Sequence, residues 1–150
     1  MAKLDGKAAF VKLKALSGVW RGSVMEKEGP RAEVRYELIS GGTAVMETLF
    51  PGTPHEMRTV YFMDGGDLVL THYCSMGNQP HLRLSRASTT DELVFEFVDG
   101  TNLDPARDAH VHGGRMRFKD ADHLEAEWTV AEGGVETGKK RFFLSREGAR

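Results

Sequence analysis

Cysteine is nearly missing from this chain, Cys74 being the only one. No intramolecular disulfide can form, so the fold must rest on its core, as expected in a reducing compartment. Long apolar runs are missing too. Nothing approaches the ~18 apolar residues of a transmembrane helix. The opening Met1-Ala2-Lys3-Leu4-Asp5-Gly6-Lys7 also lacks the apolar stretch of a secretory signal. A cytoplasmic protein without a membrane partner is therefore expected. Neither sign of charge prevails: 20 Lys and Arg against 22 Asp and Glu leave −2. That balance removes the general electrostatic pull toward nucleic acid, and none is expected as a partner. The one local basic run, Lys139-Lys140-Arg141, reads on a strand as a solvated outer face or edge. Internal repeats, low-complexity tracts and composition breaks are absent. Residues 1–150 are read as one domain, long enough for a substantial core.

Turn signals are what the chain has in plenty. They include Gly29-Pro30, Gly41-Gly42, Pro51-Gly52-Thr53-Pro54, Asp64-Gly65-Gly66-Asp67, Gly77-Asn78-Gln79-Pro80, Asp99-Gly100 and Gly133-Gly134. Between them run short segments that alternate apolar and polar residues, the pattern of an all-β barrel or sandwich. Ten strands are predicted, at about 18–27, 32–40, 43–50, 56–63, 67–75, 81–88, 92–98, 109–118, 123–131 and 135–145. Val34, Tyr36 and Leu38 share one face, as do Leu124, Ala126, Trp128 and Val130. Such one-sided burial suits antiparallel strands. Short connections favour a sequential meander, and closing it removes the edges an open sheet would expose. The predicted fold is all-β: a closed antiparallel up-and-down barrel of about ten strands. A short helix precedes it, capped by Asp5, with Ala9, Leu13 and Leu16 on one side and Phe10 beside them, ended by Ser17-Gly18. It should pack over one end of the barrel.

The segment Leu16-Ser17-Gly18-Val19-Trp20-Arg21-Gly22 resembles the Gly-x-Trp opening of calycin-type barrels, the superfamily of lipocalins, fatty-acid-binding proteins and nitrobindins. Further stretches are similar to an uncharacterised family of bacterial calycin-like domains: Gly41-Gly42 with Glu47, Met57 to Tyr61, Leu70 to Pro80, Phe95 to Val98 and His110-Val111-His112. The resemblance implies a barrel whose Trp20 packs at the closed base near the helix. Nitrobindins hold haem through a histidine near the C-terminus. The corresponding stretch here, Arg141 to Arg146, has none, so that ligation does not carry over.

Candidate functional residues cluster on strand positions where inward burial is expected. Met57, Thr59, Tyr61 and Met63 form one lining row, Phe95 and Phe97 another, and Leu124, Ala126 and Trp128 a third. His72 is the leading polar residue, because an imidazole can accept, donate or bind a metal. Cys74 shares its face, and a small buried thiol is favoured there over a nucleophile. Glu47 lies among apolar neighbours, so its carboxyl should be paired or protonated. Asn78 and Gln79 fall in a rim turn, within reach of a ligand at the mouth. His110 and His112 share one strand face, and with His72 they would make a three-imidazole metal site. No HExxH or CxxC spacing accompanies them, and no residue is assigned as a metal ligand. The stretch from Asp99 to Asp108 is the longest connection and is read as a lid.

Together these residues point to a binding protein for a small, largely apolar ligand inside the barrel. His72, Tyr61, Glu47, Thr59, Cys74, Asn78, Gln79, His112 and Trp128 are the expected contacts. Two alternatives stand beside it: an acid-base enzyme (isomerase, lyase or hydrolase) using His72, Glu47 and Tyr61, and a haem or metal carrier. The sequence names no cofactor and leaves a homodimer open.

Overall fold

The computed structural model describes residues 4–148. Met1, Ala2 and Lys3, part of the polar opening segment, lie outside them. One helix, α1 (Gly6–Lys14), precedes ten strands: β1 (Gly18–Val24), β2 (Arg31–Ile39), β3 (Ala44–Leu49), β4 (Met57–Asp64) and β5 (Asp67–Tyr73). There follow β6 (Gln79–Leu84), β7 (Glu92–Thr101), β8 (His110–Asp120), β9 (His123–Glu132) and β10 (Val135–Arg146). Each strand pairs antiparallel with its neighbours in sequence, and β1 pairs with β10 to close the barrel. The expected closed ten-stranded up-and-down meander is the observed architecture. Among the described residues, no helix is long and apolar enough to cross a membrane.

Helix α1 begins where Asp5 accepts a hydrogen bond from the Ala8 amide (2.8 Å), satisfying one of the free N–H groups of the first turn. Ala9, Phe10 and Leu13 are buried beneath it. Gly6 sits so close to the β4–β5 turn that a Cβ there would lie 2.6 Å from the Gly66 carbonyl oxygen. The helix therefore stops the end of the barrel where β5 begins. Trp20, 1% exposed, donates its indole N–H to the Leu16 carbonyl oxygen (2.8 Å), and the Arg146 guanidinium lies 4.6 Å over its ring. Arg146 also donates to the Ser17 and Ala15 carbonyls, tying the helix exit to the last strand. Beside this corner, Gly22 leaves room for the Phe143 carbonyl on the closing strand.

Several boundaries move from the expected ones, for local reasons. Strand β1 stops at Val24 rather than residue 27, because Met25 takes a positive φ of 75° and the Ser23 hydroxyl donates to the Lys27 carbonyl. Strand β6 begins at Gln79, two residues early, and ends at Leu84 as Ser85 to Ser88 turn on an i to i+3 bond. Strand β7 continues to Thr101, since an irregularity between His81 and Leu82 lets Gln79 pair with Thr101 and Pro80 with Gly100. The expected long loop thus starts at residue 102. It is held by bonds from the Asp104 amide to Asp108 and from the Asp108 amide to the Asp104 carbonyl.

Large side chains fill the helix-side interior: Trp20, Tyr36, Tyr61, Leu68, Leu70, Phe95 and Met116 are all buried. The outer wall carries cross-strand ion pairs, such as Arg115 and Arg117 on Glu92 (2.9 and 3.0 Å) and Arg141 on Glu127 (2.8 Å). Pairs of this kind, with half-exposed arginines, add little stability each. Lys139 joins Glu127 on that wall. Lys140 does not follow it outward. Its register partner is Trp128, and its ammonium lies 5.4 Å from the Phe50 ring at the barrel mouth.

Candidate functional site

Register alignment builds a polar row across the inner wall. Tyr36 on β2 stands opposite Glu47 on β3, Glu47 opposite Thr59 on β4, and Thr59 opposite His72 on β5. Antiparallel partners share a face, so these four side chains project inward side by side. All four are at most 5% exposed. The row follows from strand alternation, which here puts polar residues at core positions among Val45, Leu49 and Leu70.

Glu47 is wholly buried without a cation. One carboxyl oxygen, Oε2, accepts from the Tyr36 hydroxyl (2.7 Å) and the Tyr61 hydroxyl (3.1 Å). Its other oxygen, Oε1, has no hydrogen bond of acceptable geometry. Burial pushes the carboxyl above its ordinary range, with the Tyr36, Thr59 and Tyr61 hydroxyls pulling the other way. The part played by Thr59 is limited, because its hydroxyl lies 2.8 Å from His72 Nδ1 and has only one proton to give. Both tyrosines are pushed well above their usual range, by burial first and then by the Glu47 charge.

His72 ends the row. Burial lowers its pKa from 6.5 to about 4, so the ring is neutral near pH 7. Its remaining nitrogen, Nε2, is closed off from solvent and has no partner in the protein. The same is true of the indole nitrogen of Trp128. Gly114 faces Trp128 across the β8–β9 pair, and its missing side chain is what lets the indole lie flat there. Trp128 in turn stacks on Phe95 (centroids 6.5 Å apart, 26° between planes).

His72 and Trp128 line one cavity of about 220 Å³ at the end of the barrel opposite α1. Leu49, Met57, Val111, Val130 and Phe142 supply most of its wall, with Cys74, Met76 and Lys140 toward the mouth. Larger depressions, of about 320 and 640 Å³, lie on the outer wall among charged side chains, many of them in ion pairs. The inner cavity has a mostly apolar lining, so we take it as the candidate site.

The expected residues fall at three depths. His72, Cys74 and Trp128 line the cavity. Glu47, Thr59 and Tyr61 are packed behind it, reaching it only through the Thr59–His72 contact. Asn78, Gln79 and His112 serve the rim. Asn78 is buried and donates to the Ala109 carbonyl (2.9 Å), fastening the β5–β6 turn to the β7–β8 loop. Gln79 accepts from Asn102 (2.9 Å) on β6, not in a free turn. Cys74 approaches the Met57 sulfur at 4.0 Å and is half-buried.

The three histidines do not meet. His110 Nδ1 lies 2.7 Å from the Asp108 carbonyl oxygen and so donates to it, leaving its Nε2 to accept from His112 Nδ1 (2.9 Å). His112 stacks on Phe97 (4.7 Å, 17°) and is exposed, apart from the cavity that His72 lines. Burial, then the neighbouring His110 charge, lowers the His112 pKa. Among the described residues, no group of three or more His, Cys, Asp or Glu side chains is placed to hold a metal.

Sequence reasoning passed over Tyr36 as a site group and Lys140 as an inward one. The first was detectable from its alternation with Val34, which puts a hydroxyl on the buried face. The second needed the β9–β10 register, which no local pattern reveals. Compared with models of known protein families and with curated proteins, the chain matches none.

Proposed function

We infer that this barrel binds a small, largely apolar molecule at the end opposite its helix, in the manner of the calycin-like proteins it resembles in layout. The observation that carries this is a mostly apolar cavity inside the closed barrel, walled by Leu49, Met57, Val111, Val130 and Phe142, with His72 and Trp128 among its lining residues. The cavity of about 220 Å³ exceeds the ~150 Å³ that takes benzene and falls short of the ~300 Å³ of larger ligand pockets. A single ring or short branched chain suits it. A macrocycle such as haem does not.

The row of Glu47, Thr59 and His72, adjacent in register and joined at Thr59–His72, supports a second reading, an acid-base enzyme in which His72 exchanges a proton with substrate. Glu47 and Tyr61 would then act only at second hand, since neither lines the cavity. Native mass spectrometry of freshly purified protein, followed by thermal melts with one-ring compounds, tests binding. A copurifying small molecule or a raised Tm supports it. No adduct and no shift with any of them would sink it.

A further inference from the structure

Three consecutive cations stand on β10, and strand alternation sends the middle one to the opposite face from its neighbours. Lys139 and Arg141 both reach Glu127 on the outer wall. Lys140 shares its face with Trp128 and Phe142 and lines the mouth of the inner cavity. Among the described residues it forms no ion pair, and none of those lining the cavity is acidic. What its ammonium does meet is the ring of Phe50, 5.4 Å away at the centroid. Phe50 takes a φ of 53°, a left-handed conformation that bulky residues seldom adopt. In that conformation its ring also packs on Phe142 (centroids 5.6 Å apart), which walls the cavity. The exposed ammonium therefore sits where water gives way to the apolar wall.

We propose that Lys140 makes this a site for small monocarboxylates, the carboxylate pairing with the ammonium at the mouth and a one-ring or short branched body lying inside against Phe142. The proposal rests on the binding reading above and adds the ligand's charge and orientation to it. An ammonium held on a ring face keeps N–H groups free to donate to a carboxylate. One cation suits one negative charge, whereas a phosphate monoester would bring about −1.5 to −2. A lysine can also do no more than lay its methylenes on an apolar wall with its head in water. Under that arrangement the cavity would be indifferent to a ligand's charge, so the two accounts part on measurable ground.

Calorimetric titration near pH 7 with two acids and their neutral amides tests it: benzoate against benzamide, and 4-methylpentanoate against 4-methylpentanamide. Within at least one pair the acid should bind about fivefold or more tighter than the amide. Lys140→Met, which keeps the length of the side chain without its charge, should bring that ratio close to one, and Lys140→Arg should keep most of it. In the native chain the ratio should shrink as salt rises from about 0.01 M to about 1 M, because an exposed pair is screened. This second readout needs no variant. Amides that bind as well as their acids overturn the proposal and leave the binding reading standing. A preference for the acid that survives in Lys140→Met, or that salt does not change, overturns the assignment to Lys140. Failure of all four probes to bind overturns the binding reading and the proposal with it.

Discussion

Acid should weaken this protein through His72 more than through any exposed group. The native ring titrates at about 4, against 6.5 when free in water, because burial disfavours its charged form. Above pH 6.5 the ring is neutral in folded and unfolded chains alike, and His72 adds no pH dependence. Below 6.5 the unfolded chain takes up a proton that the folded chain refuses, so stability falls until the pH reaches about 4. At ~1.36 kcal/mol per pH unit, that interval is worth about 3 kcal/mol. For a domain with a total of ~5–15 kcal/mol this is a large loss. Glu47 has the opposite sign: its raised pKa adds stability at low pH that is lost as pH rises through the folded value. The comparison that isolates His72 is with His72→Leu, in which Thr59 can turn its hydroxyl to the open oxygen of Glu47. Urea unfolding of both proteins at several pH values from about 7 to about 4 gives the difference directly. The native protein should lose about 3 kcal/mol relative to the variant across that range. Parallel stability curves would refute the assignment of a neutral, buried His72.

Three further outcomes are expected. Glu47→Gln cannot ionise, so its stability relative to the native chain should improve from about pH 5 to pH 8 in thermal melts. A constant difference would mean that Glu47 is not a raised carboxyl. Gly114→Ala places a methyl group against the Trp128 ring, and displacing the indole should cost about 1–3 kcal/mol and change the tryptophan fluorescence. Unchanged emission would show that the ring is not pinned there. Gly6→Ala drives a Cβ toward the Gly66 carbonyl and should lower Tm by lifting the first turn of α1 off the β4–β5 turn. Hydrogen exchange of the Ala9 and Phe10 amides, faster in the variant, would locate the damage.

The barrel was readable in the sequence because alternation and turn chemistry act locally. Val34 and Tyr36, or Leu124, Ala126 and Trp128, declare a buried face over three to five residues, and Gly65-Gly66 or Gly133-Gly134 declare the reversal. The site was readable one residue at a time but not as a set. His72 and Glu47 stood out as polar groups on apolar faces. That Thr59 lies between them is a matter of register across β3, β4 and β5, fixed by turn lengths and bulges rather than by any one strand. Gln79 shows the same limit: its place on β6 depends on the irregularity at His81 and Leu82. How much space the interior keeps depends on how Trp20, Tyr61, Phe95 and Met116 interlock, and that is a property of the assembled core.

The seam between β1 and β10 has a consequence for how the chain comes to be folded. Strands β2 to β9 find both partners adjacent in sequence, but on its second edge β1 must wait for β10, Trp20 for Arg146 and Gly22 for Leu144. During synthesis the inner β strands can zip as hairpins while the first keeps a row of unpaired amides and carbonyls on one side. Joining residues more than a hundred positions apart is a late, entropically costly step. The nascent barrel therefore passes through a stage in which β1 offers a free edge to any passing strand. A holding chaperone, or quick arrival of Phe142 to Arg146, determines whether that edge closes on its own chain or on another.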